Sequence, residues 1–385
     1  MSALDADVVV CGAGAAGLSI AVRLARLPLS VTLVDPRDGY ARDRTFSFFR
    51  GRSHPFEDAI ARCYRAIDVV GRTERVARNV EARPYQVLPA DRFYGAALAA
   101  LSSHERVRLE LGTRVVSLRD LGPHVEVETD RGALRAALVI EAHGEPASTA
   151  ARADDVRWVQ HFAGLEVEVE RPIFEPAVAT LMDLRVSQSE GPHFVYVLPE
   201  TPRHALVEDT HFGPSPLPIE TYEANVHAWL ADRGAGAVQV LRRERGALPM
   251  TTSPIDRGTG RVLRAGLAGG AAKPSTGYAF AFIQRDADAI EHALARWDRT
   301  RAPTIPPVRS ETALFFDRVF LSYLAAHPHD AERVFVGLFA GTSGPSIARF
   351  LSEDATTGDY VAVMAAVPSL GVLGEAVRSR ALWMR

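Results

Sequence analysis

Residues 6–35 read ADVVVCGAGAAGLSIAVRLARLPLSVTLVD, and this stretch decides the fold. Ala6 to Cys11 is a β-branched, largely apolar run of the kind buried in a parallel sheet. Gly12-Ala13-Gly14-Ala15-Ala16-Gly17 follows at once, and then a segment whose apolar residues recur at helical spacing. A second β-branched run, Ser30 to Val34, ends in Asp35. Strand, G-x-G-x-x-G, helix, strand and acid together form a dinucleotide-binding fingerprint. Gly12 serves the tight turn, Gly14 with its neighbour Ala13 lets backbone approach a pyrophosphate, and Gly17 allows close helix–strand packing. The helix N-terminus then stabilises phosphate charge. Asp35, 18 residues beyond Gly17, is placed to accept from a ribose hydroxyl and disfavours a 2′-phosphate. The expected ligand is FAD or NAD.

The rest of the composition is that of an ordinary globular protein. The chain has 385 residues, enough for two or three lobes at roughly 100–200 residues per domain. Apolar residues make up 47% and charged residues 24%, which excludes disordered, collagen-like and disulfide-scaffold classes. Lys+Arg of 44 against Asp+Glu of 47 gives a net charge of −3 without a basic stripe, so no nucleic-acid partner is expected. Lys273 is the single lysine, a bias that fits GC-rich coding. Cys11 and Cys63 cannot build a disulfide framework, and Cys11, at a strand end, reads as inert core. The opening MSALDADVVV carries acids where a secretory leader would be basic, and no apolar run reaches the ~18 residues of a membrane span. The expectation is a cytoplasmic protein, at most bound to a membrane surface.

Two later segments favour FAD. RLELGTRVVSL (108–118), an alternating HVEVET and the strand-like ALVIEAHG resemble flavoproteins of the aromatic-hydroxylase type. In those proteins the valine after G-T-x lies near the adenine; here it is Val115. Farther on, RVLRAG (261–266) ends a strand at Gly266, and LAGGAAKPSTGYAFAFIQRDADAI brings Pro274, Thr276 and Gly277 ahead of a helix opening near Arg285. Such a helix N-terminus carries about half a positive charge, which stabilises an anionic reduced flavin. Hydroxylases usually place Asp after the strand-end glycine; Leu267 stands here, which argues against a monooxygenase.

The middle of the chain reads as an antiparallel meander: Gln160 to Glu170, Thr180 to Val186, His193 to Leu198 and His204 to Thr210. In the last of these, Glu208 and Asp209 are adjacent and so point to opposite faces. Asp183 and Arg185, two apart, read as a structural ion pair, and His327 and His329 as surface residues without metal partners. No metal site is expected.

These pieces converge on a resemblance. LVEDTHF preceded by FVYVLP and MDLRV, GALPM at 246–250, GLAGGAAKPSTGYAF and DRTFSFF are together similar to the bacterial lycopene β-cyclases, from about Val8 to about Ala381. Phe46 occupies the position where that family usually has Trp. The resemblance implies a catalytic carboxylate in the E-D-T segment, Glu208 with Asp209 beside it; Glu166 is the competing acid. It also implies reduced FAD, with electrons from NADPH or NADH, and a hydrophobic carotenoid substrate. The protein would sit peripherally on the cytoplasmic side of the inner membrane. Protonating an alkene needs an acid kept protonated in an apolar pocket, and burial raises a carboxyl pKa in that sense.

The expected fold is α/β: a Rossmann-type FAD-binding domain with an inserted antiparallel-sheet substrate domain and a C-terminal helical lobe. Expected spans are 1–155 for FAD binding, with a substrate-side insertion at about 45–95, then 156–255 for the substrate sheet. Residues 256–290 return to the FAD domain, and 291–385 form the helical lobe. The Phe-rich lobe either packs on itself, or in part lines a long apolar tunnel or dips into the bilayer. Rival functions are a cyclase of another polyene or terpenoid tail, an FAD-dependent monooxygenase or reductase, and a silent flavin- or carotenoid-binding protein.

Overall fold

The computed structural model describes residues 4–144 and 155–367. The ends of the expected FAD span and of the helical lobe, and the last part of the family resemblance, lie outside the described residues. Among the described residues the fold is mixed α/β with three sheets. At its centre Ala6–Cys11 pairs in parallel with Val31–Asp35 on one side and Gly132–Glu141 on the other. Val107–Leu111 extends one edge and Val262–Arg264 the other, both in parallel. Val8, Val9, Val10 and Cys11 are fully buried, which is why that run is apolar without alternation. Burial pushes the Cys11 thiol up to about 12, so it stays a neutral core group. Val115–Asp120 and Val125–Thr129 form an antiparallel meander hung on Gly132–Glu141.

Helices Ala15–Leu24 and Phe280–Leu294 lie together on this sheet. The buried Arg23 joins them, its Nε donating to Asp288 (2.6 Å) and its Nη1 to Gln284 (3.1 Å). The second of these helices opens at Phe280, five residues before the expected Arg285. The reason is packing: Phe280 stacks on Phe48 (4.8 Å between rings) and leans on Phe46 (5.0 Å), so apolar contacts recruit its first turn.

The second sheet has seven strands, in the order Val238–Thr251, Arg157–Val169, His204–Gly213, His193–Pro199, Val178–Asp183, Ala66–Val70 and Arg75–Asn79. The first five are the antiparallel meander plus a long outer strand, Val238–Thr251, that the sequence pattern did not reveal. The last two come from the 45–95 segment, whose other strands, Thr45–Phe49, Arg62–Tyr64 and Tyr85–Pro89, form the small third sheet.

Both faces of the large sheet are covered. Helix Ile219–Asp232 lays Val226, Trp229 and Leu230 on one face, against Leu165, Val167, Val195 and Val207. The other face, with Phe194, Leu206 and Phe212, packs against the C-terminal helices through Phe335, Leu338 and Phe339. Asp183 anchors the helix-covered side, accepting from Arg185 (2.8 and 2.9 Å), Arg233 (2.5 Å) and the Trp229 indole (3.1 Å). The lobe consists of Glu311–Ala326, Ala331–Ala340, Gly344–Leu351 and Thr357–Ala366. Among the described residues, no helix is long and apolar enough to cross a membrane.

Candidate active site

A cavity of about 480 Å³ runs from the Gly-rich loop of the first sheet to the inner face of the second. Its near end is walled by Gly12, Gly14, Ala15, Ala16, Asp35 and Arg37. Gly12 has φ +100°, a region that side chains rarely adopt. A Cβ on Gly17 would sit 1.8 Å from the Gly12 carbonyl oxygen, so the helix can lie this close to the turn only with glycine there. At Gly14, by contrast, a Cβ would meet nothing nearer than Arg37 Nη2 at 3.7 Å, so the backbone there is open to the cavity. Gly14 is also the N-cap of Ala15–Leu24, and no side chain caps the helix. Free first-turn amides at a cleft are a ready anion site. Asp35 accepts from the amide of Ala13 (2.6 Å) and from Arg37 N and Nε (2.9 and 2.8 Å), which fixes the carboxylate beside the loop. These residues fit the pyrophosphate and ribose of a dinucleotide.

The downstream loop contributes Leu267, Ser275, Thr276 and Gly277 to the same wall. Gly266 and Pro274 do not line the cavity. Gly266 packs on Ala16 of the first helix, and its N–H donates to Asp286 (3.1 Å), which in turn is paired with Arg257 (2.8 Å). A carboxylate thus reaches the strand-end glycine from the following helix, although Leu267 stands in the expected place. Val115 lies in the apolar cluster of Val9, Val34 and Val127, away from the cavity wall.

Glu208 lies on the far wall, with Phe194, Tyr196 and Phe212. The pleat decides this: Leu206, Glu208, Thr210 and Phe212 share one face of their strand, while Val207, Asp209 and His211 share the other. Beside Glu208 stands a second carboxyl that sequence reasoning missed, Glu244 on the outer strand Val238–Thr251. Gly164, on the strand between them, is in register with both. Strands two apart are ~9–10 Å from each other, too far for two glutamates to meet over an ordinary side chain. Over Gly164 they do meet, since a Cβ there would be 2.8 Å from Glu208 Cγ and 3.2 Å from Glu244 Cγ. Burial pushes the Glu208 carboxyl well above its ordinary range, the Glu244 charge adds to this, and Arg242 opposes it only in part. The result is a carboxyl whose acid form is favoured, facing a largely apolar cavity.

The other two expected carboxylates are elsewhere. Glu166 is surrounded by Arg242 (2.8 Å), Arg42 (3.2 Å) and His204 (3.1 Å). Burial alone would raise it, but these partners carry it below the ordinary glutamate value. It is a salt-bridged anion, poorly suited to deliver a proton. Asp209 faces helix Ile219–Asp232, fully buried, with His193 (2.5 Å), His211 (2.9 Å) and Asn225 (2.9 Å) on its oxygens. Burial raises it too, and the two histidines outweigh that, so it is held ionised. His327 packs its ring on Tyr323 (4.8 Å) next to the short turn that contains His329.

Apolar side chains of the helical lobe complete the cavity: Phe316, Phe320, Phe335, Phe339 and Phe350 all line it. The lobe therefore packs on itself and walls the tunnel as well. Phe46 lines the cavity near Phe280. Tyr196 donates to Tyr85 (3.0 Å), whose hydroxyl is 3.3 Å from that of Tyr278 in the downstream loop. Lys273 is buried against Asp317 (2.5 Å) at the edge of the cavity. Burial draws its ammonium down to about 8, with Asp317 resisting. Arg309 and Glu353 complete that cluster.

A family model described as "Lycopene cyclase protein" matches residues 7–377. A lycopene beta-cyclase of Pseudescherichia vulneris is 26% identical over 396 residues, covering 97% of this chain and 96% of the relative. One of a Paracoccus strain is 28% identical over 295 residues, covering 74% and 72%. Among solved structures, a geranylgeranyl bacteriochlorophyll reductase-like protein of Thermoplasma acidophilum aligns with TM-score 0.71 at 15% identity, covering 97% of this chain and 99% of that one. A flavoprotein/dehydrogenase of Cytophaga hutchinsonii gives 0.66 at 14%, covering 98% and 99%. Aklavinone-11 hydroxylase, solved with FAD and aklavinone, gives 0.61 at 17%, covering 86% and 71%. At these identities the structural likeness is one of fold, and the fold is that of Rossmann-type flavoproteins.

Proposed function

The chain belongs to the lycopene cyclase family, and on that premise we propose that it closes β-rings at the ends of lycopene, with Glu208 as the proton donor and FAD as the cofactor. The observation that carries this reading is a buried carboxyl, its pKa raised by burial and by a neighbouring carboxylate, on the wall of a cavity that also reaches the dinucleotide loop.

FAD would be held by Gly12, Ala13, Gly14 and Asp35, with Thr276 and Gly277 bordering its ring; NADPH or NADH would reduce it. In reduced form it supplies negative charge that stabilises a cation in the cavity. The chain's own residues perform the rest. Glu208 transfers its proton to the terminal double bond, forming a C–H bond and a tertiary cation. The next double bond attacks that cation, the ring bond forms, and a ring proton passes to the Glu208 carboxylate, directly or through solvent, which restores the double bond and the acid. Atoms and electrons balance without an oxidant, so the net change is isomerisation. Phe194, Tyr196, Phe212, Phe335 and Phe339 line the cavity, and aromatic rings there would exclude water and favour a cation.

Lycopene resides in lipid, and we place the protein at the cytoplasmic membrane surface. Leu314, Val361 and Met364 are exposed on the same helical lobe whose Phe316 and Phe350 line the cavity, and Tyr360 stacks on Phe316 (4.7 Å). The test is expression in lycopene-accumulating cells, with pigments read by chromatography and the protein followed by fractionation. Monocyclic or dicyclic product should appear at the expense of lycopene. The protein should sediment with membranes and leave them in mild detergent rather than salt. Unchanged lycopene beside folded, flavin-loaded protein would refute the proposal; full recovery of active protein without lipid would refute the membrane assignment.

A further inference from the structure

We propose that Glu244 is a positioning residue that keeps the proton on Glu208: a fixed carboxylate behind the acid, reaching it across Gly164. This rests on the reading of Glu208 as the proton donor, and it names a device that serves it.

The two glutamates are not equivalent. Glu208 is on the cavity wall; Glu244 is not, and its side chain is only 1% exposed. Two donors converge on Glu244 Oε2, Thr45 Oγ1 at 2.8 Å and Arg242 Nη1 at 2.5 Å, which is how a carboxylate anion is stabilised in a dry site. Its other oxygen, Oε1, is buried and receives no hydrogen bond from any other described residue. A buried acceptor left without a donor is costly. A protonated Glu208 can donate to Glu244, whereas an ionised one only repels it.

The surrounding groups leave this arrangement intact. Arg242, on the strand of Glu244, divides its guanidinium between Glu244 and Glu166, and Glu166 is further neutralised by Arg42 and His204. Tyr196, in register with Glu208 on the next strand, turns its hydroxyl to Tyr85. Thr45 approaches from the small sheet and donates to Glu244. Like carboxylates in contact cannot both ionise. The anion is the one that Arg242 and Thr45 hold; the proton therefore stays on the one that faces the cavity. Gly164 makes the contact possible.

The test is an infrared titration of the holoenzyme, following the protonated-carboxyl band assigned to Glu208 by its loss in Glu208→Gln. In Glu244→Gln the midpoint of that band should fall by about one pH unit or more. The alkaline limb of the kcat–pH profile should move down with it, at nearly unchanged KM, and activity should recover toward acid pH. Glu244→Asp, which keeps the charge, should keep the midpoint near that of the natural protein. If Glu244→Gln does not fold, Gly164→Ala separates the two carboxyls instead and should shift the midpoint the same way. An unchanged midpoint in a folded variant, or a loss of activity equal at every pH, would overturn the proposal. Normal cyclisation by Glu208→Gln would overturn the reading of Glu208 as donor, while the midpoints would still decide whether the pair shares a proton.

Discussion

Glu208→Gln is expected to lower ring closure by about 10²-fold or more, with fold and flavin content unchanged. Glutamine preserves size and the ability to donate a hydrogen bond, but it cannot deliver a strong-acid proton to an alkene. Glu208→Asp keeps the acid on a shorter stem, and small displacements of a reacting group are expensive, so partial activity at best is expected. In the natural protein the raised pKa of Glu208 implies activity that persists above the ordinary carboxyl range and declines as pH rises through that elevated value, since the acid form is the working one. Initial rates on lycopene in lipid vesicles, with chemically reduced FAD under anaerobic conditions, measure each of these. Near-normal turnover by Glu208→Gln would give the role to another donor.

The second large effect separates two glycines of the same loop. Gly14→Val is expected to leave a folded protein that has lost FAD, its affinity reduced by about 10²-fold, or about 2.7 kcal/mol. The side chain has room in the protein alone, with only Arg37 Nη2 within 4 Å of a Cβ, but it occupies the space through which a pyrophosphate must approach. Gly17→Ala should behave differently: its Cβ collides with the Gly12 carbonyl, so the helix must move off the turn and stability itself falls. Circular dichroism and flavin absorbance of the two variants, compared side by side, distinguish the cases. Stoichiometric flavin in Gly14→Val would refute the assignment of the loop.

Parts of the fold and of the site are legible in the sequence, and the reasons differ by residue. The dinucleotide fold is legible because its signal is contiguous: residues 6–35 contain strand, turn, helix and acid, and each is local. Glu208 is legible because the E-D-T motif is carried by a family resemblance, and because adjacent acids on a strand must point to opposite faces. Glu244 is not. It lies in RRERG, a charge run inside Val238–Thr251, where the alternation of a strand is masked by arginines and the register against Arg157–Val169 shifts between Glu166 and Val167. Its partnership with Glu208 is set by two strand pairings, and no periodicity within one segment encodes that.

Ambiguities of face are settled only by tertiary cover. Adjacent acids must point to opposite sides, but both sides of this sheet are buried, so Asp209 is a histidine-held anion under a helix instead of a solvated residue. Helix Ile219–Asp232, which provides that cover, goes unrecognised in the sequence between two strands. The Phe-rich lobe poses the same difficulty, because one set of phenylalanines can both pack a helical bundle and wall a cavity; contact with Phe194 and Phe212 of the sheet is what gives it the second role.

The deuterium content of product formed in D₂O reports whether ring closure begins with a proton from Glu208. The proton on Glu208 exchanges with solvent between turnovers, and the proton it adds to the terminal double bond is retained in the ring. Cyclisation by the natural protein with reduced flavin should therefore place about one deuterium in each ring formed, with no net consumption of NADPH or NADH per turnover. Unlabelled cyclic product, or reductant consumed in step with turnover, would contradict acid-initiated closure.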